Sequence, residues 1–252
     1  MPIGNRVNIL LMSATVTPRD SPELARVDPA LRLQDYADAL KFYIPKIGPV
    51  IDGVVFVENS DSDISALRAL AAQYGAGDRV EFIANYGIHS YPGHDRSYGY
   101  FKVVERAMAD SHLIAEAGDD VVVWKVAGRY QVLNLREMIV TAPKAFDLYC
   151  DLRKRPLEWA DLRFLAWTKR GFERVLDKVA DIVGEDPREP VMYRHIQARL
   201  NEPGLRIVTR YRREPLIEGV RGWDNRHYSR GVALLKYYLR AAARRFAPFV
   251  QI

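Results

Sequence analysis

The chain has 252 residues, 48% hydrophobic and 27% charged, which is ordinary globular usage with enough apolar material for a sizeable core. Its single cysteine, Cys150, excludes an intrachain disulfide and a four-cysteine zinc site, and fits a reducing compartment. The formal net charge is +5, and residues 204–246 concentrate the excess: Arg206, Arg210, Arg212, Arg213, Arg221, Arg226, Arg230, Lys236, Arg240, Arg244 and Arg245 face only Glu214, Glu218 and Asp224.

In chain order, residues 6–12 predict a buried strand, followed by a polar, Pro-containing loop from Ser13. Asp28-Pro29 predicts a helix start, because an Asp cap with Pro in the first turn satisfies or removes orphan backbone donors. Leu31, Leu33, Tyr36, Leu40 and Tyr43 continue that helix to Pro45. Gly53–Val57 is a second predicted strand, running into the cap-rich Glu58-Asn-Ser-Asp-Ser-Asp63. A helix over 64–74 and a third strand over 80–83 follow. After a Gly/Pro/His loop from Asn85, a helix from about Gly99 to Ala117 leads to a fourth strand, Val121–Val126. Strands alternating with helices of this length predict a parallel sheet, whose ligands bind at the carboxyl ends of the strands.

The second half is less regular. Residues 146–151 read as a strand, 161–182 as an amphipathic helix, 189–201 as a helix, and 205–211 as a strand. Residues 229–246 read as a basic helix ended by Pro248. The simplest organisation is one domain over 1–252: a regular α/β half at about 6–140, a mixed half at about 141–228, and a basic C-terminal helix at 229–252. The Val7–Met12 run is too short for a secretory signal, and no stretch approaches the ~20 apolar residues of a membrane span. A cytoplasmic location is expected.

Four blocks carry a family resemblance: Phe56-Val-Glu-Asn-Ser60, Tyr98-Gly-Tyr-Phe-Lys102, Trp124-Lys-Val-Ala-Gly-Arg-Tyr130 with Asn134, and Ile217-Glu-Gly-Val-Arg-Gly-Trp223. Together they resemble the GT-A-like glycosyltransferases of bacterial surface-polysaccharide synthesis, including O-antigen, lipopolysaccharide and capsule. The resemblance implies an α/β fold with a Rossmann-type nucleotide-binding half, a mostly parallel central sheet and a mixed acceptor half. It implies a nucleotide-sugar donor and a glycan or lipid-linked glycan acceptor. Where many such enzymes carry a metal-binding Asp-x-Asp, this sequence has Lys125 and Arg129. Two fixed cations can neutralise a leaving diphosphate without a metal, so no metal is assigned, with Mg2+ or Mn2+ left open.

On that reading the donor candidates are Ser13, Glu58, Asn59, Lys102, Lys125, Gly128, Arg129 and Tyr130, with Lys125 and Arg129 together on the diphosphate and Gly128 letting the backbone approach the ligand. Asp61-Ser-Asp63 follows the second strand, where Asp63 more simply caps the next helix. Asp151 and Asp224 are the acid–base candidates, Trp223 the sugar-stacking candidate, and Asn134 a further acceptor candidate. His89 and His94 lack acidic partners at metal-ligand spacing, so no zinc site is expected there. Cys150 reads as a core residue.

The alternative is a basic nucleic-acid-binding protein or another non-catalytic nucleotide-binding α/β protein. No helix-turn-helix, zinc-finger, RNP or KH signature is present, and the Rossmann glycine motif and the Walker loop are missing. Lys236, Arg240 and Arg244 are spaced by four, so they predict a basic helix face for an anionic membrane surface, on the inner membrane and through residues 230–246.

Overall fold

The computed structural model describes residues 6–18, 24–84, 96–183 and 188–246. The chain opens with β1 (Val7–Ala14), α1 (Pro29–Tyr43), β2 (Gly53–Glu58), α2 (Ser65–Gln73) and β3 (Val80–Ile83). It continues through α3 (Arg96–Asp110), α4 (His112–Ala117) and β4 (Val121–Ala127). Then come β5 (Gln131–Val132), α5 (Leu135–Thr141), β6 (Leu148–Tyr149), β7 (Leu152–Arg153), β8 (Trp159–Ala160) and β9 (Phe164–Thr168). A short α6 (Lys169–Gly171) runs into a π turn at Phe172–Leu176, followed by α7 (Val179–Val183), α8 (Arg188–Gln197), β10 (Ile207–Val208), β11 (Ile217–Glu218) and α9 (Gly231–Phe246).

The central sheet has the order β10-β6-β9-β4-β1-β2-β3. β1 pairs in parallel with β2 and β4, and β2 in parallel with β3. β9 runs against both of its neighbours, β4 and β6, while β10 follows β6. The fold is therefore α/β with a mostly parallel central sheet. Strands buried on both faces read as near-continuous apolar runs, and VNILLMSA, GVVFVE and VVVWKVA do so apart from Asn8, Ser13, Glu58 and Lys125. Alternate residues feed two cores. Leu10, Met12, Phe56 and Trp124 pack under α1, α2 and α5, with Tyr36, Leu67 and Met138. Ile9, Leu11, Val55 and Val123 pack under α3, α4, α7 and α8, with Phe101, Ile114, Val179 and Met192.

Local signals set the helix ends. Asp28 Oδ1 accepts from the Ala30 and Leu31 amides, and Pro29 opens α1. The helix expected over 99–117 is two helices. Ser111 breaks it by capping the Ile114 amide, and Glu81 takes the Ser111 hydroxyl and the His112 and Leu113 amides.

Three expectations fail in the second half. Residues 161–182 are not one helix, because Phe164–Thr168 lies between β4 and β6 as β9 and is buried over Phe164–Trp167. A wholly apolar run satisfies helical spacing and a doubly covered strand equally, and the open edge of β4 decides for the strand. The 205–211 strand contracts to β10 at the sheet edge. The basic face of the terminal helix turns inward: Arg244 pairs with Asp151 at 2.9 Å and Glu214 at 2.6 Å, and Arg240 with Glu214 at 3.9 Å. Buried carboxylates claim those cations before solvent can. His89, His94, Pro248, Phe249 and Val250 lie outside the described residues.

Candidate active site at the carboxyl ends of the strands

The chain passes from β1 outward to β3 and then returns to the other side of β1 as β4. Such a reversal of strand order is where α/β sheets bind ligands. At this point Gly128 closes the sheet edge on itself. Its amide donates to Ser13 O at 2.8 Å, and a Cβ on Gly128 would lie 2.7 Å from that oxygen. The close backbone approach that the glycine permits is thus to Ser13, within the protein. The Ser13 hydroxyl itself points to Val126 O at 3.4 Å.

A groove of about 370 Å3 opens one strand further on, between the loops after β1 and β2 and the head of α1. Val16, Ala30 and Leu33 give it apolar walls, and Thr17, Ser60, Asp61, Ser62 and Asp63 line the rest. Glu58 holds the two loops together from beneath. Its buried carboxylate accepts from the amides of Val16 at 3.0 Å, Ser60 at 2.9 Å and Ser62 at 3.2 Å, and from the Ser60 hydroxyl. Asn59 is buried beside it, accepting from Thr15 Oγ1 at 2.6 Å. Asp63 accepts from the Ser65 amide at 2.8 Å at the start of α2.

Beside the groove, whose own lining carries Asp61 and Asp63, lie the guanidinium groups of Arg26, Arg32 and Arg129. Arg32, on α1, is buried and donates to Thr15 O at 2.8 Å and Arg26 O at 3.0 Å, with no carboxylate partner among the described residues. Burial lowers its pKa, and Arg129 adds to the effect. Arg129 reaches Asp35 and Val220 O, each at 3.4 Å. Burial alone would lower the Arg129 pKa, but Tyr36, Tyr130 and Asp35 outweigh it and raise it. Asp35 already binds Arg26 at 2.7 Å, so one carboxylate serves several cations.

The segment after β11 folds over this cluster. Gly219, at φ 141°, lies against Tyr130, where a Cβ would meet the ring at 2.7 Å. Gly222 packs on Arg129, and its carbonyl accepts from the Ala25 and Arg26 amides at 2.9 Å each. Arg221 lies over the rings of Trp223 and Tyr228 and pairs with Asp224 at 2.7 Å, while its buried Nε has no hydrogen-bond partner among the described residues. Tyr228 meets Tyr130 edge-on at 5.0 Å. Trp223 is 60% exposed and so is free of the core.

The structure therefore brings together Arg129, Tyr130, Trp223 and Asp224, with Glu58 and Asn59 under the adjoining groove. It separates the others. Lys125 alternates with Val121 and Val123 and so faces the α3 side of the sheet, whereas Arg129 faces α1. The two cannot grip one diphosphate in this arrangement. Lys125 is wholly buried, its Nζ 3.6 Å from the centre of the Tyr100 ring and without a hydrogen-bond partner among the described residues. Burial, reinforced by Arg188, pushes its pKa well below the ordinary lysine value. Lys102 sits on the outer side of α3, paired with Glu105 at 2.7 Å and with Asp181 of α7 at 3.8 Å. Asn134 clamps the chain before β11, donating to Glu214 O and accepting from the Leu216 amide, both at 2.9 Å.

Asp151 lies apart, in a buried network under α9. It binds Arg153 at 3.0 Å and Arg244 at 2.9 Å, next to Asp161, which binds Arg153 and Arg163. Burial alone would raise the Asp161 pKa, but Arg163 and Arg153 hold it well below the usual carboxylate range. Asp224 likewise pairs with two guanidinium groups, Arg221 at 2.7 Å and Arg226 at 3.7 Å, but lies beside Trp223 and the Arg129 cluster, whereas Asp151 does not. Sequence reasoning missed Arg32, Asp35 and Arg221 as members of the site. Only Arg221 lay in a noted block.

The end of β4 does not suit a divalent cation, which takes oxygen ligands. The side chains present there are guanidinium groups, and Asp35 is held by two of them. No cluster of three His, Cys, Asp or Glu side chains able to hold a metal occurs among the described residues.

No family model and no curated protein matches the sequence. Solved structures do. A protein from Desulfovibrio desulfuricans G20 described as a nucleotide-diphospho-sugar transferase shares 12% identity and a TM-score of 0.46, over 81% of this chain and 79% of that one. The galactosyltransferase LgtC, solved with donor and acceptor sugar analogues, shares 12% identity and a TM-score of 0.45, over 74% and 69%. A 4-diphosphocytidyl-2C-methyl-D-erythritol synthase shares 12% identity and a TM-score of 0.45, over 93% and 98%. The functional reading therefore rests on the site.

Proposed function

We propose that this chain is a nucleotide-sugar-dependent glycosyltransferase acting on a glycan or lipid-linked glycan acceptor in surface-polysaccharide synthesis. The observation that carries the reading is that Asp35 pairs with both Arg26 and Arg129, with buried Arg32 beside them and without a carboxylate partner among the described residues, next to a groove at the carboxyl ends of β1 and β2. The groove takes the base and ribose, with the Ser60, Ser62 and Thr17 hydroxyls as hydrogen-bonding partners. The diphosphate lies toward Arg129 and Arg221. As the glycosidic bond to the diphosphate breaks, negative charge builds on the leaving phosphate, and preorganised guanidinium groups stabilise it without solvent reorganisation. Trp223 stacks on the acceptor sugar, and Asp224 takes the proton of the attacking hydroxyl.

A panel of nucleoside diphosphates and nucleotide sugars tests the donor side by thermal unfolding. A matching ligand at a hundredfold excess over its Kd should stabilise the fold by about 2.7 kcal/mol. No shift with any member of the panel would sink the nucleotide site. Product analysis tests the reaction. Release of nucleoside diphosphate with a new glycoside supports glycosyl transfer, and release of pyrophosphate from a nucleoside triphosphate would replace it with nucleotidyl transfer.

A further inference from the structure

Helix α9 is built inside out. In an ordinary surface helix the apolar stripe faces the core. Here the inward side carries Arg240 and Arg244, and Arg244 also donates to Tyr211 O at 3.0 Å. The outward side carries Val232 at 69% exposure, Leu235 at 59%, Tyr238 at 60%, Leu239 at 59% and Phe246 at 78%. At about 100° per residue these positions fall within roughly 120° of one another, opposite Arg244. Lys236 borders the stripe on one side and Arg245 on the other. Both are exposed, and neither has a carboxylate partner among the described residues. The helix contains no acidic residue.

We infer that α9 docks this protein on an anionic lipid bilayer by inserting its apolar stripe, with Lys236 and Arg245 at the headgroups on either flank. This inference is independent of the donor site. Charge complementarity favours lipid over a second copy of the chain. Two copies packed stripe to stripe would bring their unpaired flanking cations together with no acid on the helix to meet them. Area argues the same way. Sixteen residues at 1.5 Å rise and ~10 Å width offer roughly 250 Å2, well short of the ~800 Å2 per partner in a stable interface. A bilayer sets no such minimum, since a helix lying in the interface buries only its apolar side and snorkels its flanking cations. The docking mode differs from the basic face that the Lys236, Arg240, Arg244 spacing suggests, because the last two are committed to Glu214 and Asp151.

Co-sedimentation of the full chain with vesicles is the test, using phosphatidylcholine alone and phosphatidylcholine with roughly a third phosphatidylglycerol. Wild type should pellet with the anionic vesicles. L235E/L239E, at exposed positions, should keep the thermal unfolding midpoint and lose binding at least tenfold. K236Q/R245Q should bind more weakly and approach wild-type recovery on neutral vesicles. Wild type remaining in the supernatant with anionic vesicles would overturn the inference, as would L235E/L239E binding like wild type. A lipid-free dimer in sedimentation equilibrium that L235E/L239E dissociates would assign the stripe to self-association and overturn it too.

Discussion

Arg129 and Lys125 are four residues apart and behave oppositely. Arg129 sits among aromatic rings with Asp35, stays charged, and points toward the groove side of β4. Replacing it with Ala should lower transfer about a hundredfold, the usual cost of removing one preorganised charge-stabilising donor. Asp35 keeps Arg26, so the fold should survive, and near-wild-type turnover in a folded R129A would remove the central role given to this residue. Lys125 is a buried amine over the Tyr100 ring with no hydrogen-bond partner among the described residues, so desolvation makes its charged form unfavourable in the fold. Its folded pKa lies below its unfolded value of 10.5. Between those two values the unfolded chain holds the extra proton, and stability therefore rises with pH. The rise should reach about 1.4 kcal/mol per pH unit for one proton. K125M should abolish that slope and be more stable than wild type at neutral pH, because it removes an unsatisfied buried donor. Chemical denaturation of both proteins from pH 7 to 9.5 checks this. Parallel pH profiles, or a large rise in donor KM in K125M, would return Lys125 to the ligand.

Elements dominated by apolar residues were legible from the sequence. β1, β2 and β4 are mostly apolar runs broken only by Asn8, Ser13, Glu58 and Lys125, and Asp28-Pro29 marks α1 by simple hydrogen-bond bookkeeping. β9 was not legible, because Phe164-Leu-Ala-Trp167 continues a helical spacing through Phe172 and Val175 and its identity depends on the vacant edge of β4. β5, β6, β10 and β11 are two residues each, too short for any period. The site was legible only in part. The β4 block exposed Arg129, but Arg32 reads as an ordinary polar residue of an amphipathic helix until Thr15 is seen beneath it. The inward side of α9 was hidden for a related reason: its cations answer to Asp151 and Glu214, one far upstream. R244A should leave Asp151 with Arg153 alone and Glu214 with only the longer Arg240 contact, and cost about 3 kcal/mol. A loss under 1 kcal/mol by urea unfolding would show that α9 is held by other means.

On the scale of the molecule, the two cores are closed on opposite faces of one sheet, and no helix among the described residues is long and apolar enough to cross a membrane. The charge excess divides into three uses: Arg153, Arg163 and Arg244 satisfy interior carboxylates, Arg32 and Arg129 overlook the groove, and Lys236 and Arg245 remain at the surface. The contact with the longest reach is the clasp between the β1–α1 connection and the 219–228 segment. Gly222 O takes the Ala25 and Arg26 amides, and Asn225 donates to Ala25 O at 3.2 Å across 200 residues of chain. On a ribosome, the groove's walls all emerge within the first quarter of the chain, whereas Arg221, Trp223 and Asp224 emerge near the end. A nascent chain therefore carries the groove's lining long before the segment that closes over Arg129, and the clasp can form only when synthesis is nearly finished.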